Sequence, residues 1–257
     1  MSFERFMERG RSMIIAYDHG IEHGPTDFND RSADPQYIMD IAEGGQFNGI
    51  ALQKGIAEKY YNGRIPLILK LNGKTEMVKG DPISRQNCSV EYALSLKAKA
   101  VGYTIYPGSA YESLMLRTFG RIQEEARKYD LAVVAWIYPR GEAVKDDRTK
   151  EVIAYAARIG LELGADAVKI KYTGSPETFS WAVRAAGKAK VFMSGGPKAP
   201  TDEAFLRQVE GVLQAGGAGI AVGRNVWQHS EPLKMAKALR SLIIERRGLA
   251  DVLEQLK

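Results

Sequence analysis

Eight short apolar runs recur along the chain, at residues 13–17, 49–53, 66–71, 100–106, 131–138, 165–171, 190–193 and 219–222, with a stretch of helical periodicity after each. The runs are bounded by Gly, Asp, Asn or Pro and are rich in β-branched and aromatic residues, which marks buried strands. Parallel neighbours in a sheet need a crossover helix, so eight such units predict a closed parallel (β/α)8 barrel, a TIM barrel of the α/β class, with residues 1–257 forming a single domain. Helix starts punctuate the pattern. Ser109 stands three residues before Glu112, a capping-box spacing, and opens a helix to about Tyr129. Ser175 before Pro176, and Thr201 before Asp202 and Glu203, read as two further N-caps. Residues 72–87 form the longest loop, and because they follow a strand they belong to the active face of a barrel.

Length adds little beyond agreement, since 257 residues is the size of one such barrel. Cysteine usage says more. Cys88 stands alone, which excludes an internal disulfide framework and a cysteine-based metal cluster and points to a reducing, cytoplasmic compartment. Residues 1–11 carry charges of both signs and no apolar segment of a secretory signal, and the longest apolar run, 131–137, is too short for a membrane span. The formal charge of +5 is spread along the chain rather than gathered into a block, so it argues against nucleic acid and suits a small phosphorylated substrate.

Candidate chemistry sits where the last inward residue of each strand meets the mouth. Alternation along residues 164–174 puts Ala167, Lys169 and Lys171 on one face, aiming two amines at one interior. Two ammonium groups brought together in a low-dielectric setting lower the pKa of at least one, the condition for a nucleophilic lysine and a Schiff base. Spacing alone does not choose between Lys169 and Lys171. By the same parity the first strand ends on inward Asp18, followed by His19, the third offers Lys70 and Asn72, and the fifth sends Trp136, Tyr138 and Arg140 toward the mouth. Strand seven ends in Ser194-Gly195-Gly196-Pro197 and strand eight in Gly223-Arg224-Asn225. Glycines there let backbone N–H groups approach an anion, and the arginine adds a planar charged fork, at the loops where this barrel holds phosphate. His19, Glu22 and His23 match the H-x-x-E-H spacing of a zinc site, but that motif needs a continuous helix, and Gly20 interrupts it while Gly24-Pro25 closes it. No metal is expected.

With these stretches in place, the chain resembles the archaeal-type class I fructose-1,6-bisphosphate aldolases of the DhnA group. The resemblance is carried, in order, by residues 16–25, 102–108, Tyr138-Pro139-Arg140-Gly141, 164–174, 193–198 and Val222-Gly223-Arg224-Asn225. It implies that Lys169, in the pattern Gly-Ala-Asp-x-x-Lys, forms the imine, with Lys171 as the neighbouring charge that depresses its pKa and contacts substrate. It further implies Tyr138 as proton donor, Asp18 and His19 facing the substrate, Trp136 and Arg140 lining the pocket, and Ser194, Gly195, Gly196, Gly223 and Arg224 binding a phosphate.

The implied reaction is the reversible cleavage of fructose 1,6-bisphosphate to dihydroxyacetone phosphate and glyceraldehyde 3-phosphate, with the iminium as electron sink and no metal or other cofactor. The base for the C4 hydroxyl is Asp18 or Tyr138. Related Schiff-base enzymes acting on other phosphorylated ketoses, such as aminodideoxyheptulosonate synthases, share Lys169. A noncovalent phosphate-binding isomerase or lyase would use both lysines only electrostatically, and a nucleic-acid binder would turn over no sugar phosphate. The resemblance also implies a homo-oligomer, with pentamers as one arrangement; the periodicity is silent on this.

Overall fold

The computed structural model describes residues 2–256. Eight parallel strands close on themselves: β1 (Ser12–Tyr17), β2 (Gly49–Gln53), β3 (Leu67–Lys70), β4 (Ala100–Ile105), β5 (Ala132–Ile137), β6 (Ala167–Ile170), β7 (Lys190–Ser194) and β8 (Gly219–Val222). Each pairs with its sequence neighbours, and β1 closes the ring against both β2 and β8. The barrel and its crossover helices are those expected from the apolar runs. Several strands are shorter than their runs, because the terminal residues of each run already turn into a loop.

Strand parity separates two cores. Met13, Ile15 and Tyr17 of β1, with Val133, Ala135 and Ile137 of β5, pack outward among the helices. Ile14 and Ala16 of β1, Ala132, Val134 and Trp136 of β5, Ala167 of β6 and Phe192 of β7 fill the barrel. Phe3 and Phe6, from the 3-10 helix Ser2–Phe6, belong to this inner cluster; Phe3 lies 5.6 Å from Phe192. They plug the N-terminal end of the barrel with apolar surface, so the opening lies at the C-terminal ends of the strands.

The helix-start signals hold at two of three positions. The Ser175 side chain accepts from the Thr178 N–H at the start of Pro176–Ala185, and Thr201 accepts from the Ala204 N–H at the start of Asp202–Gln214. The third helix runs Glu112–Lys128 with Tyr111, not Ser109, at its N-cap. Ser109 instead accepts from the Tyr111 N–H, while the Glu112 carboxylate accepts from the Gly108 N–H at 2.7 Å. Those residues therefore build the turn before the helix. Residues 72–87 form a loop that carries a two-residue antiparallel pair, Asn72–Gly73 with Arg85–Gln86.

Gly102 sits mid-strand in β4, where a side chain would ordinarily help to fill the barrel. A Cβ at that position would overlap the ring of Trp136. The absence of a side chain is what seats the indole across the barrel, beneath the mouth. Gly102→Ala is expected to cost about 1–3 kcal/mol through overpacking, read as a lower urea midpoint with altered tryptophan fluorescence. An unchanged midpoint and spectrum would show that the ring has room to spare.

Candidate active site

The mouth holds a cavity of about 460 Å³, and Asp18, His19, Trp136, Tyr138, Arg140, Lys169, Lys171, Ser194, Gly195, Gly196, Gly223 and Arg224 all line it. All the residues to which the resemblance gave a role are thus brought to one opening, whereas Asn72 and Asn225, also named from the sequence, are buried and do not line it. Lys70, Glu22, His23, Thr104 and Arg148 also line it.

Lys169 is the penultimate residue of β6 and points inward, registered beside Trp136 of β5 and Phe192 of β7. It is buried at 6% exposure, as are Lys70 and Asp18. Lys70, the last residue of β3, places its Nζ 3.4 Å from Asp18 Oδ2. The two amines flank the same indole, with Lys70 Nζ 5.2 Å and Lys169 Nζ 5.3 Å from the Trp136 ring. Charged groups this deep are costly unless paired, and here one carboxylate serves two amines over an aromatic face.

The protonation states follow. Burial pushes the Lys169 amine down to about 8, with Lys70 and Arg224 adding to the fall and Asp18 opposing it. Burial alone would raise the Asp18 carboxyl, yet Lys70 and Lys169 outweigh it and hold the group below its ordinary range. Tyr138 moves the other way: burial and the Asp18 charge raise its phenol well above the ordinary value. Burial keeps His19 neutral, its pKa pushed down to about 4. The site thus contains an amine able to lose its proton near neutrality, a carboxylate that stays ionised and a phenol that stays protonated.

The structure corrects the sequence reading at Lys171. Its amine is paired with Asp147 on the loop after β5, so it lines the wall rather than sitting beside Lys169. The lysine whose charge helps to depress Lys169 is Lys70. The signal for it was present in the sequence as an inward lysine at the end of the third run, but nothing local ranked it above Lys171. The other residues missed are those that hold charges in place. Glu22 lies 3.0 Å from Arg140 and 3.8 Å from Lys74. Gln53 Nε2 donates to the Asp18 and Asn72 carbonyls, at 3.3 and 2.9 Å. Asp81 accepts from the Ala110 and Glu142 N–H groups at 2.7 and 2.8 Å, tying the loops after β3, β4 and β5 together.

Of the H-x-x-E-H residues, Glu22 and His23 share a cluster that leaves out His19, whose ring meets His23 edge-on with centroids 5.6 Å apart. One helical turn does form, Gly20–His23, but His19 stands outside it as the N-cap, stacked on Trp227 with ring centroids 5.5 Å apart. Donor atoms of Glu22, His23 and Glu76 approach within 4.8 Å of one another, though Glu22 is already engaged by Arg140. On the far wall, Gly196 turns the loop after β7 with a φ of 58°, a left-handed conformation that favours glycine. Its carbonyl accepts from Arg224 Nε at 3.1 Å, and Asn225 Nδ2 donates to the Gly195 carbonyl at 3.0 Å, locking the loops of β7 and β8 together.

Comparison with known proteins supplies the family. The model described as DeoC/LacD family aldolase matches residues 12–229. The class 1 fructose-bisphosphate aldolase of Thermoproteus tenax is 60% identical over 250 residues, covering 96% of this chain and 95% of that protein. A Methanocaldococcus jannaschii protein named fructose-bisphosphate aldolase/6-deoxy-5-ketofructose 1-phosphate synthase is 39% identical over 268 residues, covering 95% of this chain and 85% of its own. A solved archaeal fructose-1,6-bisphosphate aldolase, with its catalytic lysine covalently bound to the carbinolamine intermediate of the substrate, superposes with a TM-score of 0.93 at 60% identity, covering 95% of this chain and 98% of that one. An inward buried lysine at the mouth of a closed barrel, matched along nearly its whole length by these proteins, means that the chain belongs to the DeoC/LacD family aldolases and, within them, to the archaeal-type class I fructose-bisphosphate aldolases.

Proposed function

We infer that the protein is a metal-independent class I aldolase that cleaves and forms fructose 1,6-bisphosphate through a Schiff base on Lys169. The observation that carries this reading is the buried Lys169 amine, pushed down to about 8 beside Lys70 and Asp18 at the centre of the mouth. An amine with that pKa is partly neutral at physiological pH, whereas an ordinary lysine is almost wholly an ammonium. Six Lys and Arg side chains line the cavity against the carboxylates of Asp18 and Glu22, a balance that suits a substrate with two phosphates.

The steps follow from the opposed protonation states. Neutral Lys169 attacks the C2 carbonyl of the open-chain ketose to give a carbinolamine. Tyr138, kept protonated by burial and by Asp18, donates to the departing hydroxyl, and water leaves. The iminium then withdraws electrons from the C3–C4 bond. Of the two groups open to the C4 hydroxyl proton, the Tyr138 phenolate formed in the previous step is the stronger base. Asp18, held ionised by Lys70, is the weaker base and stabilises the cationic iminium. Bond cleavage releases glyceraldehyde 3-phosphate and leaves an enamine on Lys169, which is protonated at C3 and hydrolysed to dihydroxyacetone phosphate. The iminium is the electron sink, so the cycle needs no metal.

One phosphate is assigned to Ser194, Gly195, Gly196, Gly223 and Arg224, with His19 beside them. The other faces Arg140, Arg148 and Lys171 from the loops after β5 and β6. Trp136 walls the reacting centre from water. We further propose that the chain works as one catalytic unit in the cytoplasm, serving glycolysis or gluconeogenesis, and assembles as a homo-oligomer. Tyr155 and Trp181, 69% and 48% exposed on the packed helices Lys150–Glu162 and Pro176–Ala185, are aromatic surface that such an assembly would cover. Among the described residues no helix is long and apolar enough to cross a membrane.

Borohydride reduction with dihydroxyacetone phosphate is expected to leave a stable adduct on the peptide containing Lys169, and Lys169→Arg to abolish both adduct and turnover. An adduct on Lys171, or none in folded phosphate-binding protein, would sink the assignment. Tyr138→Phe is expected to lower kcat by about 10²–10⁴ while phosphate affinity is kept, as measured by steady-state kinetics and phosphate titration. Because the ammonium form of Lys169 is not nucleophilic, imine formation should rise about tenfold per pH unit below roughly 8 and then level off. Removing the like charge in Lys70→Met should move that midpoint upward by about one unit, as followed by stopped-flow trapping across pH. A midpoint that stays in place would remove Lys70 from the account.

A further inference from the structure

Arg224 is held by partners from two different loops before any anion arrives. Its Nε donates to the Gly196 carbonyl at 3.1 Å, and its Nη1 donates to Asp27 Oδ2 at 3.0 Å. Asp27 stands 197 positions earlier in the chain, as the last residue of the 3-10 turn Gly24–Asp27 in the loop after β1. It does not line the cavity; it stands behind Arg224. The ion pair is mostly sheltered, with side chains 18% and 24% exposed.

The backbone of Asp27 is pinned as well. Its carbonyl accepts from Gln228 Nε2 at 2.5 Å, just after the helical turn Arg224–Trp227. The next residue, Phe28, packs its ring 5.3 Å from Tyr17 and 5.6 Å from Trp227. Carboxylate, carbonyl and neighbouring ring therefore fasten the β1 loop to the segment that carries Arg224.

A guanidinium offers five N–H donors in one plane. With Nε and Nη1 engaged, the plane is fixed and Nη2 remains for a ligand. A long side chain ordered in advance loses less freedom when the anion binds. This arrangement has an electrostatic cost, because a carboxylate beside the arginine lowers the positive potential an anion meets. Charge and geometry therefore predict opposite outcomes when the carboxylate is removed.

We propose that Asp27 is a positioning residue for the substrate phosphate: it sets the Arg224 guanidinium in its binding orientation and fastens that anion site to the loop bearing Asp18 and His19. The inference rests on the reading of the β7 and β8 loops as a phosphate site.

The test uses Asp27→Ala, Asp27→Asn, Asp27→Glu and Arg224→Ala in the full chain, with inorganic phosphate as probe by calorimetric titration and dihydroxyacetone phosphate in steady-state condensation. Asp27→Ala is expected to weaken phosphate binding and raise KM about tenfold while kcat changes less than about threefold. Asp27→Glu should recover most of the affinity. If Asp27→Ala does not fold, as judged by circular dichroism, Asp27→Asn takes its place and should show the same direction with a smaller rise. Phosphate affinity unchanged or improved in folded Asp27→Ala or Asp27→Asn would overturn the inference, since only the lost repulsion would then register. Phosphate binding indifferent to Arg224→Ala would overturn the anion-site reading itself, whatever the Asp27 variants do.

Discussion

Two amines and a carboxylate share the bottom of the barrel mouth, and the rest of the molecule is arranged around the cost of burying them. Lys169, Lys70 and Asp18 are each about 6% exposed, with Lys70 and Asp18 3.4 Å apart and an indole face against both amines. With one negative charge between two positive ones, the cheapest relief is for one amine to give up its proton. Burial does most to lower the Lys169 pKa, Asp18 opposes it, and the like charge of Lys70 adds to the fall. A nucleophile results because burial and a like charge together outweigh the counter-charge.

The barrel supplies what that cluster needs. Phe3 and Phe6 close the opposite end with apolar surface, and the Ala-rich inner faces leave room for Trp136 to lie across the strands. Gly102 completes the seat. Above it, the loops are fixed to one another rather than left to their own flexibility. Gln53 holds the main chain at Asp18 and Asn72, Asp81 joins three loops, and Asp27 and Gly196 hold Arg224 between them. Gln53, Asp81 and Asp27, which do not line the cavity, thus restrict where the charges that line it can go, which limits the reorganisation needed on binding.

Much of this was legible from the order of residues. Apolar runs bounded by turn formers gave all eight strands, and parity named the inward residues Asp18, Lys70, Trp136 and Lys169. The glycine-rich stretches after β7 and β8 likewise lie at the mouth. The reading failed where proximity depends on what happens beyond a strand end. Alternation carried through Lys171 as though β6 continued, but the strand stops at Ile170 and the next side chain meets Asp147 from the adjacent loop. Ser109 misled for a related reason: a capping spacing reports hydrogen-bonding capacity, and the Pro107-Gly108 turn used it before the helix began.

What the sequence determined by itself is the barrel, its handed alternation of inner and outer faces, and the set of chemical groups delivered to the mouth, because periodicity and turn residues act locally. What only the tertiary structure decided is which charge stands next to which: Lys70 rather than Lys171 beside Asp18 and Lys169, Asp147 against Lys171, Asp27 behind Arg224. Those pairings join positions 24 to 197 residues apart, and no local preference encodes them. They exist because closing the barrel brings distant loops onto one rim, where Coulomb energy in a low-dielectric setting changes steeply over a few ångströms.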